Sequence, residues 1–258
     1  MRRLLVVNPL GTDYHDAETV ELLAGQLPAD VTVTVDSLRD GVPATAFLPL
    51  PSTSYNQLIG RVIAAEREGF DAVVIACASD PTLATVKPLV GIPVTAPMEA
   101  ALHTAAALGG RLGIVAPRMR SGENEKQPQT ANWVRELVQQ YGMWHRVATI
   151  RSAAVVRPSD AEVERLFAED PEKLRVLVRD GMAAAAAGPG LDHARAAVEH
   201  DEATVLFFAC TTWGGLLGPV RDAVSVRVLD PVVDTVRFAA LLAGAGLRRP
   251  SLTPPTLS

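Results

Sequence analysis

The sequence predicts an α/β protein with two similar lobes, each with a central, mostly parallel sheet flanked by helices. Short apolar runs alternate with helical stretches along the chain, which is typical of parallel sheets covered on both faces. The runs at 72–76 and 205–209 are apolar throughout, as expected of strands buried on both faces. Each leads into a cysteine, Cys77 or Cys210, and then a polar turn. Because open α/β sheets bind ligands beyond the carboxyl ends of their strands, we expect the active site in the cleft between the lobes.

In the first half, hydrophobic periodicity and turn residues predict strands and helices in alternation. The predicted strands are 4–7, 31–35, 72–76 and 94–96, and the predicted helices are 16–27, 55–69 and 98–108. Asp80 and Pro81 have the character of a cap and a first helical turn, so a helix is expected to open directly after Cys77. The segment 41–54 is rich in Pro, Thr and Ser without a period and is predicted to be a loop that covers a site.

The second half repeats the pattern. The predicted strands are 111–116, 146–152, 205–209 and 224–229, and the predicted helices include 132–141, 193–200 and 235–242. Two more helices are expected to open at Ser159, which begins a capping box, and at Asp170, which precedes a proline. We expect the last strand and helix to return to the first lobe, which gives lobes of residues 1–108 with 216–258 and of residues 109–215.

Composition excludes several function classes. The net charge is −5 and 21% of residues are charged, with no basic or aromatic cluster that would suit nucleic acid. No apolar stretch is long enough to span a bilayer, and Asn8 and Pro9 interrupt the first apolar run, so neither a membrane span nor a signal peptide is predicted. A cytoplasmic protein with two free thiols is expected. The five histidines have no metal-ligand spacing, and no cofactor motif is found.

The paired cysteines suggest acid–base chemistry. We expect each thiol to feel the positive end of the helix that follows it, which would lower its pKa and make the thiolate available as a base. The same helix ends would offer N–H groups to an enolate-like oxygen. One cysteine after an apolar strand is more often a small packed hydrophobe. The repeated context favours catalysis for the pair, with one thiol on each face of an acidic carbon.

Several segments resemble the aspartate/glutamate/hydantoin racemase superfamily, and the hydantoin racemases most of all. The segment 76–81, ACASDP, resembles the first cysteine motif of hydantoin racemases, and 209–211, ACT, resembles the second cysteine motif of the superfamily. Further similar segments are Asn8-Pro9, 97–101 and 228–232. Together these pieces span most of the chain and follow the family's order.

The resemblance implies two pseudo-symmetric α/β domains and racemisation without a cofactor, with Cys77 and Cys210 as the acid–base pair. It also implies a small-molecule substrate with a carbonyl or carboxylate next to an acidic C–H, a homo-oligomer, and a structural role for Glu99. The residues expected to bind the substrate are Asn8, Ser79, Asp80, Thr211 and Thr212.

Some positions depart from the family's pattern and leave the substrate open. Leu10 stands where the family has a second asparagine, and Ala78 where it often has an aromatic residue. Thr212 and then Trp213 replace a histidine common after the second cysteine, and Trp213 could shape the pocket or belong to the core. Alternative functions are a cis–trans isomerase or a decarboxylase of the same superfamily. A thiol hydrolase and a non-catalytic ligand-binding protein are further alternatives.

Overall fold

The computed structural model describes residues 1–9, 13, 15–38, 52–120 and 130–247. Within these residues the strands form two four-stranded sheets in which all neighbours are parallel. The contacts divide the chain into two compact units, Met1–Pro97 with Val232–Ser258, and Met98–Pro231. The predicted fold class, parallel sheets flanked by helices, is confirmed.

The first sheet has the strand order β2-β1-β3-β4. Its strands are β1 (Arg2–Asn8), β2 (Val31–Ser37), β3 (Ala72–Ile75) and β4 (Val94–Thr95). The helices of this part of the chain are α1 (Asp16–Leu23), α2 (Ser52–Arg67), α3 (Leu83–Val86) and α4 (Pro97–Ala107). The central strands are apolar and buried on both faces, whereas the edge strand β2 alternates Val and Thr and is partly exposed. This difference follows from position, since a central strand has helices on both sides.

The second sheet repeats this order as β6-β5-β7-β8. Its strands are β5 (Leu112–Arg120), β6 (Val147–Val156), β7 (Val205–Phe208) and β8 (Arg227–Leu229). The later helices are α5 (Thr130–Gln140), α6 (Asp160–Glu169), α7 (Pro171–Ala185), α8 (Leu191–Glu199), α9 (Gly218–Ala223) and α10 (Val233–Gly244). The third strand of each sheet, β3 or β7, therefore lies beside the first strand of its own half.

Two helix starts in the second unit follow the predicted capping. The Ser159 hydroxyl accepts a hydrogen bond from the Glu162 N–H and caps α6, and the Asp170 carboxylate accepts one from the Lys173 N–H and caps α7. Each side chain satisfies one of the N–H groups that a helix leaves unpaired at its start.

The predicted place of the last strand is wrong. We expected it to return to the first lobe, but β8 pairs with β7 in the second sheet, from Val205↔Arg227 to Phe207↔Leu229. Only α10 returns, and it packs Val236 and Ala239 into the core of the first unit. The sequence of a short apolar strand does not show which sheet it joins, because a buried edge of either sheet could accept it. The predicted lobe boundaries stay a prediction.

Each unit has its own hydrophobic core. In the first, Leu4, Val6 and Val74 pack under α10. In the second, Val115, Phe208 and Trp213 belong to a larger cluster with the buried faces of α6, α7 and α8. Among the described helices, none is both long and apolar enough to cross a membrane.

Candidate active site

The first cysteine lies directly beyond the carboxyl end of β3. The Ala76 N–H donates to the Val7 carbonyl at 2.8 Å and makes the last ladder bond with β1. The chain then turns, with the Cys77 N–H donating to the Ile75 carbonyl at 2.8 Å and the Asp80 N–H donating to the Cys77 carbonyl at 3.0 Å. Cys77 is therefore held by a backbone turn at the edge where parallel sheets bind ligands.

The second cysteine repeats these backbone bonds. The Ala209 N–H donates to the Val115 carbonyl at 2.8 Å, and the Cys210 N–H donates to the Phe208 carbonyl at 2.8 Å. The Trp213 N–H then donates to the Cys210 carbonyl at 3.1 Å. Both cysteines thus occupy the same position relative to their own sheets, which is the internal repeat that the sequence predicts.

Each thiol contacts a hydroxyl group two residues further on. The Cys77 Sγ lies 3.2 Å from the Ser79 Oγ, and the Cys210 S–H donates to the Thr212 Oγ1 at 3.5 Å. Both cysteines are free thiols. Cys77 is 8% exposed and Cys210 is partly buried. Ser79 and Thr212, two of the predicted site residues, are therefore placed beside the sulfur atoms.

The expected effect of helix ends on the thiols is wrong for Cys210. Burial raises the pKa of the Cys210 thiol, and the Thr212 hydroxyl and N–H groups only partly oppose it. The reason lies in the turn, because residues Thr211–Trp213 form one turn of 3-10 helix and α9 starts only at Gly218. The described segment that follows Cys210 therefore does not open a long helix directly at this sulfur, as the expected effect of a helix dipole requires.

The helix predicted to open at Asp80 is also wrong. Asp80 has φ 47° and Thr82 has φ 57°, both in the left-handed region, and the helix that follows is the four-residue α3. Two non-glycine residues in this region cost backbone energy, and such strain is concentrated at functional sites. Asp80 is buried at the turn that carries Cys77.

Asn8 lies at the carboxyl end of β1, one residue beyond the Val7 carbonyl that closes the ladder with β3. Asn8 is buried, and its Nδ2 donates to the Asp16 Oδ1 at 3.5 Å. The Ser37 hydroxyl donates to the same carboxylate oxygen at 2.8 Å. The position that corresponds to Asn8 in the second sheet is Ala116, so the amide belongs to one of the two repeats only.

Trp213 belongs to the core of the second unit. Its side chain is fully buried, its Nε1 donates to the Met182 carbonyl at 3.0 Å, and its ring meets Phe208 edge-on at 5.1 Å between centroids. Thr211 and Thr212, the residues before it, are partly exposed. The buried indole therefore fixes the end of the cysteine turn in the core, while Thr211 and Thr212 in the same turn stay partly exposed to solvent.

Asp230, which follows β8, holds the far end of the same turn. Its buried carboxylate accepts the Gly215 N–H at 2.9 Å and pairs with Arg221 at 3.2 Å. Gly215 has φ 73°, a conformation that favours glycine. The segment after Cys210 is thus fixed at Trp213 and again at Gly215.

Sequence reasoning missed Asp16, Tyr55 and Asp230. Burial raises the pKa of Asp16, although hydrogen bonds from Ser37 and Asn8 oppose the rise. Burial, and then the negative charge of Cys77, raise the pKa of Tyr55, which lies in α2. Asp230 lies in the segment 228–232 that resembles the family, but nothing in that segment predicts the hydrogen bond from Gly215 or the pairing with Arg221. None of these residues stands out by spacing, because the contacts that each one makes are with residues distant in sequence.

The remaining predicted features are placed as follows. Glu99 is buried in the first turn of α4. Leu10 and most of the segment 41–54 lie outside the described residues, although 52–54 start α2. Across the described part of the chain, no three His, Cys, Asp or Glu side chains come together as a metal-binding group.

Comparison with known proteins adds a family to this geometry. Residues 4–239 match the family model described as Asp/Glu/Hydantoin racemase. A hydantoin racemase of Paenarthrobacter aurescens is 30% identical over 95% of this chain and 92% of its own length. One from Pseudomonas sp. (strain NS671) is 28% identical, and that match covers 72% of this chain but 64% of the relative. The solved allantoin racemase from Klebsiella pneumoniae shares the fold, with a TM-score of 0.74 and 20% identity over 100% of this chain and 96% of the other.

Proposed function

Because this chain belongs to the Asp/Glu/hydantoin racemase family, we propose that it racemises a small cyclic amide of the hydantoin type by proton transfer between two cysteines. The observation that carries the proposal is the repeated turn, in which Cys77 and Cys210 follow equivalent strands with equivalent backbone bonds. The curated relatives are named racemases, which are isomerases, and we assign the chain to that class.

In the proposed reaction one thiolate removes the proton from the acidic carbon, and the electron pair moves onto the neighbouring carbonyl oxygen. The other thiol then gives its proton to the opposite face of the same carbon, and the carbonyl re-forms. Cys77 is the base for one enantiomer and Cys210 for the other. The reaction changes no oxidation state and consumes no co-reactant, so no cofactor is needed. Acid and base groups of this kind each contribute about 10²- to 10⁴-fold in rate.

The chemistry of the two turns supports an uncharged substrate. Residues 77–82 and 210–215 contain no Lys, Arg or His, and Asp80 is the one formal charge among them. The polar groups offered are the hydroxyls of Ser79, Thr211 and Thr212 and backbone N–H groups, together with the Asn8 amide. Such neutral donors suit the carbonyl and N–H groups of a hydantoin ring, whereas a free carboxylate would be better bound by a guanidinium.

Burial raises the pKa of the Cys210 thiol, which favours the protonated form that the acid of the reaction requires. We also propose that Asp80, which is buried at the turn of Cys77, contacts the substrate together with the four polar residues named above.

The experiment that tests the function is proton NMR in deuterium oxide, with optical rotation followed in parallel. The substrates are enantiopure 5-substituted hydantoins, allantoin, aspartate and glutamate, each with an enzyme-free control. We expect loss of rotation and of the α-proton signal with hydantoins. In early turnover, deuterium should appear in the product enantiomer while the remaining substrate keeps its proton, because separate groups serve the two faces.

The cysteine variants complete the test. Cys77→Ser and Cys210→Ser should each abolish inversion while their circular dichroism and melting profiles stay those of the parent. The matched control is Thr85→Ser, an exposed hydroxyl residue in α3, which should retain full activity. Inversion that persists in either cysteine variant would refute the two-base mechanism. Absence of exchange with every substrate would refute racemisation and favour the isomerase, decarboxylase or binding-protein alternatives.

The proposal includes a homo-oligomer acting on a small molecule. Light scattering coupled to size exclusion gives the mass of the particle, and a mass of one chain would contradict this part of the proposal.

A further inference from the structure

Each cysteine turn carries a hydroxyl at the same offset from the sulfur. Ser79 and Thr212 both stand two residues after their cysteine, at 3.2 Å and 3.5 Å from Sγ to Oγ or Oγ1. The flanking residues do not match, since Ala78 separates one pair and Thr211 the other. The repeat therefore preserves a hydroxyl beside each sulfur while the residue between them varies.

We propose, on the premise of the function above, that Ser79 and Thr212 are positioning residues whose hydroxyls hydrogen-bond the sulfur and stabilise its thiolate form. When the cysteine is the base, the hydroxyl hydrogen points at the sulfur anion. In the protonated cysteine, the S–H donates to the hydroxyl oxygen. When that cysteine acts as the acid, its S–H turns to the substrate carbon and transfers the proton there, and the hydroxyl hydrogen then bonds the thiolate that is left.

The surroundings of Cys210 support this positioning role for the Thr212 hydroxyl. Burial disfavours the thiolate there, and the groups that act in the opposite direction are the hydroxyl and the N–H of Thr212. The residues 210–215 carry no charge. A hydrogen bond to a charged acceptor is stronger than one to a neutral acceptor, so the hydroxyl is a main source of thiolate stabilisation at this turn.

The surroundings of Cys77 include two ionisable groups. Tyr55 interacts electrostatically with the thiolate, and its raised pKa keeps the phenol neutral in the range where thiols titrate. The backbone N–H of Asp80 bonds the Cys77 carbonyl, and its carboxylate is the charge of the same turn. The Ser79 hydroxyl lies 3.2 Å from the sulfur, within reach of a hydrogen bond to the thiolate, and such a bond favours the charged form.

The test measures the thiol directly and does not require the racemase reaction. The chain has two cysteines, so Cys77→Ala leaves Cys210 alone and Cys210→Ala leaves Cys77 alone. The rate of alkylation by iodoacetamide is measured against pH in each single-cysteine protein, and its midpoint reports the pKa of that thiol. Thr212→Val is then added to the first protein and Ser79→Ala to the second.

We expect each substitution to raise the midpoint of its own thiol by about one to two pH units, the usual strength of a hydrogen bond to a charged group. The matched control in both proteins is Thr85→Val, at an exposed hydroxyl residue of α3, and it should move neither midpoint. If Thr212→Val does not fold, Thr212→Ala and Thr212→Ser replace it, and the serine variant should restore the parent midpoint.

A midpoint that stays in place after loss of the hydroxyl would overturn the proposal, whatever the enzyme's activity. In the two-cysteine enzyme, Ser79→Ala and Thr212→Val should lower kcat and shift the acidic limb of its pH profile upward. A rise in KM alone, with the limb unchanged, would assign these hydroxyls to substrate binding only and would also overturn it. Failure of racemisation itself would leave the alkylation result intact, so the two proposals fail separately.

Discussion

Substitution of Trp213 tests whether its indole is part of the core or of the substrate pocket. The side chain is fully buried, donates to the Met182 carbonyl at 3.0 Å and packs edge-on against Phe208. It also sits three residues after Cys210, at the end of the turn that carries the thiol. A core role predicts a large loss of stability, whereas a pocket role predicts a change in KM with little loss.

Two substitutions of Trp213, to alanine and to phenylalanine, should lower the free energy of unfolding by different amounts. Trp213→Ala removes a buried aromatic side chain and should lower the free energy of unfolding by about 3–5 kcal/mol. Trp213→Phe keeps one ring and the contact with Phe208. The Met182 carbonyl still accepts the N–H of Ala186, so the lost indole bond costs only about 1 kcal/mol. The missing ring volume adds about 1 kcal/mol more.

Urea denaturation followed by far-UV circular dichroism measures both variants, with steady-state kinetics on the folded proteins. We expect the alanine variant to lose about one and a half to two and a half times the stability that the phenylalanine variant loses, from the costs given above. Because the buried indole holds the turn that carries Cys210 in place, both substitutions should displace the thiol and lower kcat, while KM changes little. A cost for Trp213→Ala of no more than about 0.5 kcal/mol, the range of surface substitutions, together with a raised KM, would refute the core assignment.

Three further substitutions test the turns. Asp230→Ala should lower the free energy of unfolding by about 1–3 kcal/mol in denaturant titrations, because the Gly215 N–H loses its acceptor; an unchanged midpoint would contradict this. Thr82→Gly should raise the free energy of unfolding by about 1 kcal/mol and raise the melting temperature with it, since glycine accepts the left-handed φ and the buried Thr82 Oγ1 has no hydrogen-bond partner. A lower melting temperature would contradict the assigned strain. The raised pKa of Asp16 means that the native state binds its proton more tightly than the unfolded state, so this carboxyl's contribution to stability is present below about pH 4 and is lost as pH rises through the folded pKa. Asp16→Asn should flatten that part of the pH–stability curve, and an unchanged slope would contradict it.

The fold was predictable because its signals are local. The apolar runs that end at Cys77 and Cys210 are long enough to show burial on both faces, and the strand–helix alternation restricts the topology to parallel sheets. Capping at Ser159 and Asp170 was readable for the same reason, since cap and acceptor lie within one turn. The match of residues 4–239 to the family model confirms the family prediction, which was possible because the motif around each cysteine is contiguous in sequence.

The predictions that were wrong concern features that tertiary contacts determine. Asp80 and Pro81 have the residue types of a helix start, yet the turn places Asp80 at positive φ and delays the helix to Leu83. The pKa of Cys210 was expected to fall with a helix end and instead rises with burial. Burial depends on what packs around the sulfur, which the neighbouring residues in sequence do not specify.

The unequal surroundings of the two thiols lead to a last prediction about kinetics. The backbone bonds at Cys77 and Cys210 are alike, but their surroundings differ: Cys77 has the Ser79 hydroxyl, the buried Asp80 and Tyr55 as neighbours, whereas Cys210 has the Thr212 hydroxyl and no charged residue in its turn. Enantiomers have equal free energies, so kcat/KM must be the same in both directions whatever the enzyme's asymmetry. The asymmetry can appear only in kcat and KM separately, and we expect both to be unequal for the two enantiomers of one hydantoin. Polarimetric progress curves started from each enantiomer measure them. Equal kcat values in both directions would mean that the two thiols are equivalent during turnover, against the difference in their neighbouring groups.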